Sequence, residues 1–169
     1  GAGDQHAGAV GLGLAEGEVL YSLGTSGVVI TVSPTPVADL SGMVNSVADA
    51  AGGFLPLVCT LNCTKVTDTW ARLLNVNHDE LAALALAAPL DQARPVLAAY
   101  FDGERSPNRP LARGLLGNLS NETTREQMAL AAFEGVLLGL LAGHGAMQAA
   151  GARADGRVVV TGGGGRSAA

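Results

Sequence analysis

Asp4 stands between a glycine-rich start and a predicted helix, a position that suits a catalytic carboxylate. Residues 1–6 read GAGDQH. A carboxylate fixed there stays near solvent and could act as a general base that takes a proton from a hydroxyl group. An ordinary helix N-cap is the alternative, and this segment alone favours it. His6 is not expected to act with Asp4, because residues at i and i+2 do not share a helix face.

A second segment with chemical potential is a turn that could hold phosphate groups. It consists of Gly24, Thr25, Ser26 and Gly27. The flanking runs, 18–23 and 28–32, are rich in β-branched residues and predict a hairpin. Backbone N–H groups in such a turn, with the hydroxyls of Thr25 and Ser26, could donate to phosphate oxygens. The turn lacks the Gly-Lys-Ser/Thr ending of a P-loop, so by itself it is better read as a plain hairpin turn.

A third segment is a run of four glycines after a valine-rich strand. These are Gly162, Gly163, Gly164 and Gly165, which follow the sequence VVVT. A buried strand that ends in glycines lets a ligand lie against bare backbone, and nucleotides commonly bind at the carboxyl ends of strands. The GxGxxG spacing of dinucleotide-binding proteins is absent. A flexible turn is the alternative interpretation.

The elements between these segments predict an α/β domain with a mixed sheet. Besides the hairpin, strands are predicted at 44–50, 54–61, 96–101, 113–119 and 157–161. Helices are predicted from Asp4 onward, at 63–74, at 78–88 with Asn77 or Asn75 as N-cap, and from about residue 123 to 150. Thr123 and Glu126 fit a capping box at the start of the last helix. Strands, then helices, then a strand that ends in glycines are typical of the α/β class.

Composition limits the classes of function. The chain has 169 residues, 48% of them hydrophobic, which is enough for one domain with a core. The net charge of −5, with scattered basic residues, argues against a nucleic-acid partner. The apolar run at 136–142 is too short for a membrane span, so we expect no membrane association and a cytoplasmic protein. Cys59 and Cys63 are too few ligands for a zinc site and predict reduced thiols.

Four segments in order resemble the second half of the FGGY carbohydrate kinases, and among them the xylulokinases. They are GAGDQHAGAVGLGL, YSLGTSG, YFDGERSP and VVVTGGGGRS, and the resemblance covers essentially the whole chain. It implies an actin-like ATPase (ribonuclease H-like) fold, with a mixed sheet flanked by helices. It also implies ATP-dependent phosphorylation of a sugar hydroxyl, D-xylulose to D-xylulose 5-phosphate. We therefore interpret residues 1–169 as the carboxy-terminal, nucleotide-binding domain of a longer kinase. We expect this fragment to be inactive without the amino-terminal domain and the end of the carboxy-terminal domain.

The resemblance also implies roles for particular residues. Asp4 would be the catalytic base, and Asp4 and Gln5 would contact the sugar. Gly24, Thr25 and Ser26 would lie at the nucleotide phosphates. Gly162, Gly163, Gly164 and Gly165 would face the adenosine. Glu104 and Arg105 would lie in a loop at the edge of the cleft, where they could pair with each other.

The chain is expected to act with ATP, Mg²⁺ and a sugar. The residues that bind Mg²⁺ are expected mainly in the amino-terminal domain. A homodimer is left open. Kinases of the same family that act on ribulose, gluconate or glycerol are alternatives, and so is a non-catalytic nucleotide-binding module. The carboxylate at Asp4 favours catalysis, because a module that only binds nucleotide does not need it.

Overall fold

The computed structural model describes residues 4–90 and 93–169, except for the side chains of Asp4 and Gln5. The strands are β1 Val19–Leu23, β2 Gly27–Thr31, β3 Asn45–Ala48, β4 Phe54–Thr60, β5 Val96–Ala98, β6 Leu115–Gly117 and β7 Val158–Thr161. The α-helices are α1 Asp4–Gly11, α2 Thr64–Leu74, α3 His78–Ala87 and α4 Arg125–Ala149, and a 3₁₀ turn spans Gly163–Arg166. Every predicted element is present, although β5 and β6 are shorter than expected.

The main sheet is mixed, as predicted. Its strand order is β3-β4-β2-β1-β7, and only the pair of β1 and β7 is parallel. β5 and β6 form a separate antiparallel pair. The predicted fold class, a mixed sheet flanked by helices, is confirmed.

Alternating residues of the central strands bury the two faces of the sheet. Val19, Tyr21 and Val29 pack in a core cluster with residues of α2, α3 and α4. Leu20 packs on the opposite face, in a second cluster that contains Ala9 of α1. This period of two is what a strand buried on both faces requires, and it places α1 across the sheet from the other helices.

Trp70 belongs to the core, where it packs with apolar neighbours. It is 6% exposed, and its indole N–H donates to the carbonyl oxygen of Met128 at 2.7 Å. The indole also stacks on the ring of Phe101, with the ring centroids 5.6 Å apart. Trp70 thus joins α2 to α4 and to the loop that follows β5.

Helix α4 is longer and more continuously apolar than the run predicted at 136–142. By length and composition alone it is the one helix among the described residues that could cross a membrane. Leu140 and Met147 of α4 are nevertheless completely buried, and the helix packs against α2, α3, β2, β4 and β5. Those contacts are typical of the core helix of a globular domain.

The capping box of α4 lies one residue later than predicted. Thr124, not Thr123, is the N-cap, and its hydroxyl accepts a hydrogen bond from the N–H of Gln127, not Glu126. The side-chain oxygen of Gln127 accepts from the N–H of Thr124 at 3.1 Å. Gln127 is only 4% exposed, so packing selects the register in which it points inward. At α3, the structure selects Asn77 from the two predicted caps, Asn77 and Asn75, and Asn77 forms a capping box with Glu80.

Candidate functional site

The two glycine segments meet at one edge of the main sheet. Ser22 of β1 lies opposite Thr161 of the parallel strand β7, so the carboxyl ends of both strands lie side by side. Gly162 has a φ of +91°, and a Cβ atom on it would lie 2.5 Å from the carbonyl oxygen of Leu23. Only glycine fits such a conformation and such a close approach. The fold therefore brings the turn after β1 against the glycines after β7.

The turn at residues 24–27 is held by hydrogen bonds from the residues at the start of α2. The N–H of Thr64 donates to the carbonyl oxygen of Gly24 at 3.0 Å, and the N–H of Cys63 donates to that of Thr25 at 3.2 Å. Thr25 and Ser26 are exposed. Within the described ranges, no acceptor takes the N–H groups of Gly24, Thr25 or Ser26. The turn thus keeps these N–H donors available, while the carbonyl groups of Gly24 and Thr25 accept hydrogen bonds from residues 63 and 64.

A cavity of about 370 Å³ opens beside this turn. Gly163 and Gly164 line one wall, and a Cβ atom added to Gly163 would meet nothing within 4 Å. Gly162 and Gly165 pack instead against Leu23 and Val160. The remaining described lining residues come mainly from α2, the start of α3 and α4: Leu23, Cys63, Thr64, Thr67, Asp68, His78, Asp79, Phe133, Val136, Leu137, Arg166, Ser167 and Ala169.

The polar wall of the cavity comes from helices that the sequence analysis did not assign to a site. Thr64, Thr67 and Asp68 are spaced i, i+3 and i+4 on one face of α2. The carboxylate of Asp68 lies 3.3 Å from the Nε2 atom of His78. The sequence does carry a signal for this wall, because apolar residues at helical spacing in this helix imply an opposite polar face, which starts next to the glycine turn.

Sequence and structure comparisons decide the family. The chain matches the C-terminal domain of the FGGY family of carbohydrate kinases over residues 19–169. The chain belongs to the FGGY family. It is 40% identical to the xylulose kinase of Streptomyces coelicolor over 169 residues, which is 100% of this chain and 34% of that protein.

Two solved structures of FGGY kinases show how far the likeness extends. The xylulose kinase of Bifidobacterium adolescentis is 41% identical with a TM-score of 0.91, over 99% of this chain and 33% of that one. A Plasmodium falciparum glycerol kinase with ADP has a TM-score of 0.81 at 16% identity, over 98% of this chain and 35% of that one, and shows the fold alone. The chain therefore spans about a third of the length of each of these relatives.

Cys63, one of the two cysteines predicted to be reduced thiols, is a free cysteine in this FGGY domain. Cys63 is 2% exposed and lies at the wall of the cavity, immediately before α2. Burial raises the pKa of its thiol to about 11. The neutral thiol thus contributes an apolar surface to the cavity, not a nucleophile.

The remaining sequence-predicted site residues are Asp4 and Gln5. Their backbone forms the first turn of α1, but their side chains lie outside the described residues, so their roles stay predictions. No group of three or more His, Cys, Asp or Glu that could hold a metal ion occurs within residues 4–90 and 93–169. The predicted location of the Mg²⁺ ligands in another domain also stays a prediction.

Proposed function

We propose that this chain is the nucleotide-binding domain of a kinase that phosphorylates D-xylulose with ATP. The observation that carries the proposal is the meeting of the two glycine segments beside a cavity, at the carboxyl ends of β1 and β7. The N–H groups and hydroxyls of Thr25 and Ser26 would bind phosphate oxygens, as backbone donors in glycine turns commonly do. A domain of this kind would act with an amino-terminal domain in the cytoplasm.

The cavity suits the adenosine part of the nucleotide. Bare backbone at Gly163 would let a flat base approach closely, and Phe133 and Val136 give the cavity an apolar wall. The carboxylate of Asp68 is an acceptor that suits the hydroxyl groups of a ribose. Glycine backbone, an apolar wall and a few convergent polar groups are typical of a small-molecule site.

The chemistry asked of this chain is the transfer of a proton at Asp4. ATP would supply the phosphoryl group, and Mg²⁺ would neutralise phosphate charge. As the sugar hydroxyl oxygen bonds to the γ-phosphorus of ATP, the bond from that phosphorus to ADP would break and ADP would leave. The proton of the hydroxyl would pass to the Asp4 carboxylate, while Gln5 would hold the sugar. The turn would fix the phosphates, because phosphoryl transfer depends mainly on positioning and electrostatic stabilisation.

The choice of D-xylulose rests on the relatives with substantial sequence identity. Those named above at 40% and 41% identity are xylulose kinases, whereas the glycerol kinase shares the fold at 16%. Phosphorylation assays of the complete kinase with D-xylulose, D-ribulose, gluconate and glycerol test the proposal. We expect a strong preference for D-xylulose. Nucleotide binding without activity on any of the four would favour the non-catalytic module instead.

The role of Asp4 has its own test. Replacing Asp4 with asparagine in the complete kinase keeps the size of the side chain but removes the base. We expect phosphorylation to fall by about 10²-fold or more, with ATP affinity within about twofold of wild type, because general-base catalysis contributes roughly that much. A variant with near-normal kcat would refute the assignment of Asp4 as the base.

A further inference from the structure

Glu104 is a buried carboxylate in the loop between β5 and β6. It is 3% exposed, in the YFDGERSP segment. Its Oε1 atom accepts hydrogen bonds from the N–H of Leu61 at 2.6 Å and from the N–H of Arg105 at 2.7 Å. Its Oε2 atom accepts from the side-chain amide of Asn62 at 3.0 Å. Glu104 therefore contacts Arg105 through the backbone and ties its own loop to the end of β4.

The side-chain amide of Asn62 donates hydrogen bonds to this loop. Asn62 is 4% exposed, and its Nδ2 atom donates both to Glu104 and, at 2.8 Å, to the carbonyl oxygen of Gly103. Its Oδ1 atom is buried without a hydrogen-bond partner in the described part of the chain. Leaving a buried acceptor unsatisfied is costly. The orientation of the Asn62 side-chain amide thus places its N–H donors on the loop and leaves its carbonyl oxygen without a hydrogen bond.

Residues 60–64, which contain hydrogen-bond partners of Glu104, also hold the turn at residues 24–27. Residues 61 and 62 bind Glu104, and the next two residues, Cys63 and Thr64, donate to the carbonyl oxygens of the turn. Thr60, one residue before, donates from its hydroxyl to the carbonyl oxygen of Gly27 at 3.4 Å. Five consecutive residues therefore connect the Glu104 carboxylate to both ends of the turn.

We propose that Glu104 is a positioning residue for the nucleotide phosphates, acting through residues 60–64 on the turn at residues 24–27. This inference rests on the proposed function, in which the turn binds those phosphates. Groups that bind a reacting phosphate must be held within about 0.5 Å of the productive geometry by residues behind them. Glu104 supplies that support through two hydrogen bonds, one from the N–H of Leu61 and one from the side-chain amide of Asn62.

The test compares ADP with adenosine in the complete kinase, because adenosine lacks the phosphates that the turn would bind. For Glu104→Ala we expect ADP to bind about tenfold more weakly, or about 1.4 kcal/mol, by isothermal titration calorimetry. Adenosine affinity should stay within about twofold. KM for ATP should rise while KM for the sugar stays unchanged, a split that a smaller fraction of folded enzyme would not produce.

Glu134→Ala is the matched control. Glu134 is another glutamate in a hydrogen-bonded pair, with two bonds from Arg94 at 3.0 and 2.6 Å, and these bonds involve neither the turn nor residues 60–64. We expect both ligands to bind this variant as they bind the wild type. A similar selective loss of ADP affinity in Glu134→Ala would overturn the proposal, since it would show that the loss does not depend on residues 60–64.

Glu104→Gln keeps the inference testable if the alanine variant does not fold. The glutamine oxygen can still accept from Leu61 and Arg105, but its amide nitrogen cannot accept from Asn62. We expect about a threefold loss of ADP affinity and unchanged adenosine affinity. Unchanged ADP affinity, equal losses for both ligands or failure of both variants to fold would overturn the inference. Wild-type kinase that binds neither ligand would refute the proposed function, and the inference with it.

Discussion

Replacing Gly162 with alanine tests the contact that brings the two glycine segments together. The new Cβ atom would lie 2.5 Å from the carbonyl oxygen of Leu23, 2.7 Å from its carbonyl carbon and 3.0 Å from its nitrogen. All three are backbone atoms of β1, so a rotamer change cannot relieve the clash. The end of β1 or the glycine segment must move.

The magnitude follows from two contributions. A φ of +91° is strained for any residue with a Cβ atom, at roughly 1–3 kcal/mol. Forcing a methyl group into a packed contact costs a further 1–3 kcal/mol or so. We therefore expect Gly162→Ala to lower the free energy of unfolding by about 2–6 kcal/mol, a large part of the roughly 5–15 kcal/mol that stabilises an ordinary domain.

Urea denaturation measures this change, and Gly163→Ala is the matched control. A Cβ atom at Gly163 meets nothing within 4 Å, so that variant should unfold at nearly the wild-type urea concentration. Its methyl group would still project toward the cavity, so adenosine should bind more weakly to a folded protein. Wild-type stability in Gly162→Ala would refute the close contact between β1 and residue 162. A loss in Gly163→Ala as large as in Gly162→Ala would refute the open space at 163.

Two further predictions concern the core and the cavity wall. Gly143→Ala should lower the free energy of unfolding, measured by urea denaturation, by about 1–3 kcal/mol, because its methyl group would lie 2.7 Å from the buried Val58 side chain. A Cβ atom at Gly145 in the same helix meets nothing within 4 Å, so Gly145→Ala should not destabilise the fold. Equal losses in the two variants would contradict this packing. Burial raises the pKa of Cys63 from 9.0 to about 11, so its neutral thiol stabilises the fold below pH 9 and that contribution is lost as the pH rises through 11. Cys63→Ser should flatten this part of the stability–pH curve, and an unchanged slope would refute the burial argument.

The sequence predicted the local features of the site well, because each has a local cause. The hairpin of β1 and β2 follows from two β-branched runs around a glycine turn. Strand β7, which ends at Thr161, follows from its valines, and a helix N-cap at Asn77 or Asn75 follows from the asparagines that precede the helix. These signals lie within a few residues of one another, so the chain does not need to be folded for them to be recognised.

Features that depend on distant parts of the chain could not be predicted in the same way. Thr123 and Thr124 both precede an acidic or amide side chain by three residues, and only the burial of Gln127 decides between them. Likewise, the sequence placed Glu104 in a polar loop beside Arg105. Its buried contacts with Leu61 and Asn62 cross more than 40 positions of sequence, and no local pattern reports them.

The parallel pairing of β1 with β7 has a consequence for the order in which the chain folds. It joins segments that are far apart in the sequence, as does the ion pair of Glu18 and Arg157, which are 139 residues apart. Such non-local pairing is slow to form, and during synthesis the glycines of residues 162–165 leave the ribosome long after the turn at 24–27. A ligand held between the two segments can stabilise only chains in which β1 and β7 have paired. Its binding would therefore distinguish chains with this pairing from folding intermediates that lack it.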